Sequence, residues 1–104
     1  MASQANVNFR FRLDQLPWLP GAISYGDQGT FPGGMGNNMR FFRENIRFGP
    51  NVTELMQDML FTPETSGGLL VCLPPSQAAV YLEACPQSVI VGDVVEGPGL
   101  IIGE

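Results

Sequence analysis

Residues 62–73 read TPETSGGLLVCL, and the expected fold turns on this stretch. A proline, small hydroxyl residues and a glycine pair stand directly before a continuous apolar run. Gly67 and Gly68 let the backbone take positive φ or approach another group closely, while Thr65 and Ser66 supply hydroxyls and N–H groups. Leu69 to Leu73 has no polar alternation, so it is expected to be a strand buried on both faces and stopped by Pro74 and Pro75. Residue chemistry thus predicts a tight glycine-rich turn feeding a core strand. Such a turn can hold an anion on its amides and hydroxyls, or it can simply let a sheet pack against a helix. On the first reading Thr65, Ser66, Gly67 and Gly68 are candidate anion-binding residues.

Upstream, Val7 to Leu13 reads VNFRFRL, with Val7, Phe9, Phe11 and Leu13 on one side and Asn8, Arg10 and Arg12 on the other. Strict alternation predicts a half-buried strand with a wet arginine face. A proline-containing connection should lead into a short helix near 21–27. Five glycines and a proline between Gly26 and Asn38 predict a long loop, in which Gly33, Gly34 and Asn38 are candidates for closing over a ligand. They match no phosphate-binding fingerprint. A short helical turn at 38–46 would present Phe41 and Phe42. Arg40, Arg43 and Arg47, three and four apart, would share one helical face, usable for a phosphate or for solvent alone. A helix should follow with Asn51 as N-cap, Glu54 as capping partner, and Leu55, Met56, Met59 and Leu60 as its apolar stripe. Asn51-Val52-Thr53 also fits a glycosylation sequon, although capping suits its place at a helix start.

Downstream of the core run, a helix from Pro75 or Ser76 to Glu83 should turn Ala78, Ala79, Leu82 and Cys85 inward, with Pro86 preventing continuation. Val89–Val91 with Val94–Val95, and then Leu100–Ile102, are expected strands. The order of elements suggests an α+β fold, a mixed sheet with helices packed on it.

With 104 residues there is room for a single domain. Its 44% apolar and 14% charged residues describe a globular chain with little charge to hold copies apart. All five basic residues are arginines in the first half, and residues 52–104 hold seven carboxylates and no cation. That distribution argues against nucleic-acid binding, which needs clustered cations. Without any His or Lys there is no histidine base, no Schiff-base lysine and no lysine clamp on a phosphate. No apolar run is long enough for a membrane helix, and residues 1–5 lack the pattern of a secretory leader, so a cytoplasmic setting is expected. Cys72 and Cys85 are expected to be reduced packing residues, and two isolated thiols fall short of a zinc set.

Four segments in order resemble one family. The 62–73 stretch is similar to the PxTSGGLL signature near the C-terminus of selenophosphate synthetase (selenide, water dikinase). Leu16–Ala22, LPWLPGA, resembles its LPxLPGA segment, Phe31–Asn38, FPGGMGNN, its PGGTxxN loop, and Val89–Val95, VIVGDVV, its short IGxV strand. Together they span roughly residues 8 to 104. Many members carry Asp and Gln where this chain has Thr62 and Glu64, a variation that also occurs within the family.

The resemblance implies the C-terminal α/β sandwich domain of aminoimidazole ribonucleotide synthetase-like proteins. Residues 1–104 would form a single, N-terminally truncated domain, similar to the last two-thirds of the family's C-terminal domain. The parent reaction it implies converts ATP, selenide and water to selenophosphate, AMP and phosphate with Mg²⁺, and places the TSGG turn near an inter-domain cleft for nucleotide and phosphate. The family's glycine-rich Cys/Lys segment, its metal-binding aspartates and its DVTGFG motif do not occur in this sequence. The expectation is therefore a detached domain, not catalytic alone, with no catalytic residue, metal or cofactor of its own. It would pair with itself as a dimer or with a catalytic N-terminal half on another chain. The alternative is a small non-enzymatic binding module that reuses the fold.

Overall fold

The alternating VNFRFRL segment builds the centre of the molecule. In the computed structural model, which describes all 104 residues, β1 (Val7–Phe11) is joined by β2 (Ile46–Phe48), β3 (Gly92–Glu96) and β4 (Ile101–Gly103) in the order β2-β4-β1-β3. β1 runs antiparallel to β3 and parallel to β4, and β2 runs parallel to β4. The sheet is mixed, as expected. Register aligns Phe9 with Ile101 and Ile101 with Ile46 in one apolar row, and Phe11, Gly103 and Phe48 in a second. Arg10 lies opposite Asp93 on the wet face, where the Asp93 carboxylate takes Arg12 Nη1 at 2.6 Å and lies 3.7 Å from Arg10 Nη2.

Five helices accompany the sheet: α1 (Ala2–Ala5), α2 (Ala22–Asp27), α3 (Gly34–Phe42), α4 (Glu54–Leu60) and α5 (Pro75–Ala84). α1 lies against β1, and α2 and α3 both pack on α4. The apolar stripe of α4 is partly or fully buried along its length, as its spacing predicts. Its first turn is capped by Thr53, whose hydroxyl accepts from Met56 N–H at 3.2 Å. The expected cap, Asn51, lies two residues too early, in an exposed turn.

The core is small. Phe9, Leu13, Met59 and Phe61, with Ala2, are its buried apolar side chains, and none is completely sealed. Phe61, just past α4, sets its ring edge-on to Phe48 of β2, centroids 6.2 Å apart. Between them and the sheet remains an apolar cavity of about 260 Å³, lined by residues that include Phe11, Leu13, Ile46, Phe48 and Phe61.

At the other end of the sheet Asn8 closes the turn into β4: its Oδ1 accepts from the N–H of Gly99 at 3.2 Å and of Leu100 at 2.8 Å. Gly99 holds φ +97° there with no room for a side chain, since an added Cβ would lie 2.6 Å from Ser3 Cα.

The largest departure from expectation is Leu69–Leu73. It is not a strand, and all five of its residues are exposed, Leu69 to 92%. A doubly buried strand needs ladder partners on its edges and layers on its faces, and these 104 residues offer this segment neither. α5 forms over the expected residues, but none of it is buried; Ala78 and Leu82 are half-covered, whereas Ala79 and Cys85 face solvent. Cys72 and Cys85 are free and exposed rather than packed. Val89–Val91 precedes β3 without joining it, apart from Val91 O, which takes Arg12 N–H at 2.9 Å. The three arginines do not share a helical face: Arg40 belongs to α3, Arg43 to a following 3-10 turn and Arg47 to β2.

Candidate functional site

The two glycine-bearing motifs lie on either side of one contact. PGGMGNN, expected to be a loop, is the start of α3: Gly33 is its N-cap, and Gly34 and Asn38 are inside the helix. Glycine costs a helix about 1 kcal/mol per residue relative to alanine, and two tertiary contacts offset that here. Asn38 Nδ2 donates to Phe61 O at 3.0 Å. Gly34 sits against Pro63, where an added Cβ would lie 3.1 Å from the proline Cγ. Met35, Asn38 and Met39 are half-buried on that side. The helix is thus pinned to residues 61–63, directly ahead of the TSGG segment.

Thr62 ends α4 by donating its hydroxyl to Met59 O at 2.7 Å. From there the chain bends at Thr65 and Ser66 and runs out exposed through Gly67 and Gly68. The bend is open rather than tight. Positive-φ glycines are Gly21, Gly29 and Gly99, so neither Gly67 nor Gly68 uses the left-handed freedom that singled them out. A Cβ at Gly68 would meet nothing within 4 Å, and one at Gly67 only Glu64 Oε2 at 3.7 Å. No backbone group of residues 63–73 is engaged in a backbone hydrogen bond, and neither hydroxyl of Thr65 and Ser66 is spent on the fold.

The bend therefore offers an incoming group two free hydroxyls and a run of free N–H donors, with a carboxylate nearby. These are neutral donors, suited to orienting an oxygen-rich ligand more than to drawing in charge. The arginines are committed elsewhere: Arg47 Nη1 donates to Glu44 O and Ile46 O at 2.8 and 2.9 Å, Arg43 stacks 5.7 Å over the Phe48 ring, and Arg40 bonds Asn37. Nothing in the sequence announced the Asn38–Phe61 and Gly34–Pro63 contacts, because both join residues far apart in the chain.

The donor set does not fit a resident Mg²⁺. No group of three or more acidic, thiol or imidazole side chains converges anywhere, whereas magnesium asks for a near-octahedral oxygen shell.

The chain is 34% identical over 100 residues to selenide, water dikinase of Clostridium botulinum (strain Eklund 17B / Type B), covering 92% of this chain and 29% of that protein. It is 34% identical over 103 residues to selenide, water dikinase of Pelobacter propionicus, covering 94% and 30%. The same named protein of Burkholderia ambifaria is 29% identical over 106 residues, covering 97% and 30%. The chain therefore spans about three tenths of the length of these relatives. No family model matches it.

Proposed function

The chain belongs to the selenide, water dikinase family, and we propose that these residues are its C-terminal, non-catalytic part. In this reading they form one wall of a site whose reacting groups lie in sequence outside these 104 residues. The observation that carries it is the alignment: nearly the whole chain is used, against about three tenths of each relative. The side-chain inventory supports it, since the chain has no His or Lys and no converging carboxylates. Phosphoryl transfer needs metal ions and cationic or polar groups to stabilise the charge on the transferring group. ATP, selenide and Mg²⁺ would be handled with that other sequence, and this part would contribute Thr65, Ser66, Gly67 and Gly68 as donors to nucleotide or phosphate oxygens. Gly33, Gly34 and Asn38 act through α3, which holds the residues leading into the bend.

A cytoplasmic setting belongs to the same reading. Two exposed free thiols persist in a reducing compartment, and an oxidising one tends to pair them. No helix is long and apolar enough to cross a membrane.

The test uses the purified chain with ATP, selenide and Mg²⁺. It should release no more AMP than a variant lacking residues 65–68; selenide-dependent AMP above that control would remove the non-catalytic reading. Binding is tested separately. The Thr65→Ala/Ser66→Ala variant should lose phosphate or ATP affinity at an unchanged Tm, because neither hydroxyl bonds within the fold. If the parent chain binds neither ligand and the variant melts lower, the bend is scaffold.

A further inference from the structure

Glu64 to Gly68 hold hydrogen-bonding groups of both kinds, and the mixture says which part of a ligand they fit. Glu64 is exposed, and its Oε2 hangs over the bend, 3.7 Å from where a Gly67 Cβ would stand. No ion pair or hydrogen bond of the fold uses its carboxylate. An ionised carboxylate only accepts hydrogen bonds, a hydroxyl both donates and accepts, and a main-chain N–H only donates. The bend therefore sets an acceptor beside two hydroxyls and a run of donors, none of them spent within the chain. Thr62, by contrast, takes no part, because its hydroxyl is given to Met59 O at 2.7 Å.

A phosphate fits only half of that set. Its ionised oxygens accept and do not donate, so it can use the hydroxyls and amides but meets Glu64 as a like charge, an arrangement that selects against a ligand. Nothing in the chain offsets the repulsion. There is no Lys, and no cation follows Arg47. Arg40 is held by Asn37, Arg43 stacks on Phe48, and Arg47 donates to the carbonyls of Glu44 and Ile46.

A pair of neighbouring hydroxyls fits all of it. Each gives its hydrogen to a carboxylate oxygen and takes a hydrogen bond on its own oxygen from a Thr65 or Ser66 hydroxyl or an amide of the bend. Hydrogen bonds to an ionised carboxylate are the strong ones of the set, so Glu64 is the group that tells a ligand with the hydroxyl pair from one without it. The main chain is open to a sugar on this side, since a Cβ at Gly68 would meet nothing within 4 Å. A nucleotide carries such a pair on its ribose.

We propose that Glu64, with Thr65, Ser66 and the amides of Gly67 and Gly68, binds the vicinal diol of a nucleotide's ribose and not its phosphates. This rests on the reading of the bend as one wall of a nucleotide site, and it fixes which part of the nucleotide lies against that wall. The phosphates then point toward sequence outside these 104 residues, where the cations that this chain lacks would be supplied.

Amide chemical shifts of the isotope-labelled chain, titrated with adenosine, 2′-deoxyadenosine and inorganic phosphate, test the assignment. Adenosine should move the amides of Thr65 to Gly68 to saturation. The deoxynucleoside, short of one charge-assisted hydrogen bond, should bind about tenfold more weakly, and phosphate should leave these amides in place. Glu64→Gln should keep the parent's Tm, since no contact of the fold uses the carboxylate, and should lose the preference for adenosine. Equal affinity of the parent for the two nucleosides overturns the proposal. Phosphate saturating the same amides overturns it as well, while leaving the bend's part in a nucleotide site standing. Shifts from none of the three ligands overturn both. The titrations of the parent decide the matter even if the variant does not fold.

Discussion

Gly99 and Gly68 look alike in the sequence, each inside a short glycine-containing turn, and the structure treats them oppositely. Gly99 sits at φ +97° with Ser3 Cα in the path of any side chain, while Gly68 has open space. Gly99→Val should therefore destabilise by about 1–3 kcal/mol from backbone strain alone, and Gly68→Ala should stay within about 0.5 kcal/mol of the parent. Urea unfolding of the two variants checks the ranking, and a larger loss at Gly68 would mean that the bend is built differently. The sequence marked Gly67 and Gly68 as the conformationally demanding pair because they follow hydroxyl residues and precede an apolar run. The demand fell on Gly99 because α1 lies beside it, a contact across the whole length of the chain that no local pattern encodes. Asn8 was legible only as a wet-face residue for the same reason: its partners, the amides of Gly99 and Leu100, come from the far end.

Among the elements, those with a periodicity of their own were readable. β1 followed from strict alternation, α4 from its stripe, α5 from its proline start, and β4 from its short apolar run. β2 escaped because three residues with Arg47 in the middle are too few to display a period; it exists because β4 offers a parallel edge. The α4 start was misplaced by two residues, since Asn51 and Thr53 are both competent caps and only the structure shows which hydrogen bond forms. Thr53→Ala should consequently cost about 1 kcal/mol, while Asn51→Ala should be near neutral; equal losses in thermal melts would point to a shared cap. The anchor joining α3, α4 and β2 is Phe61, 3% exposed, which packs on Phe48 through its ring and holds Asn38 through its carbonyl. Phe61→Ala should remove about 3–5 kcal/mol, a large share of the ~5–10 kcal/mol a domain of this size has. Loss of cooperative unfolding is the expected readout, and a sharp melt near the parent's would show that the cavity side of the sheet carries little of the stability.

For the molecule as a whole, the α+β class was legible from the order of elements and the family from four short segments, whereas the burial of the second half was not. A sequence read alone assumes that apolar runs find cover, and here Leu69–Leu73 and α5 find little within the chain. That shortfall and the span of about three tenths of the relatives' length both motivate the proposal that this chain works with other polypeptide surface. The most direct measurement mixes the purified chain with a separately produced portion of the Clostridium botulinum relative, the part that this chain does not match, and follows AMP release with ATP, selenide and Mg²⁺. Selenide-dependent AMP from the mixture, absent from either component alone, is the predicted result. A mixture as silent as its components, beside an intact relative that is active in the same buffer, would contradict the assignment.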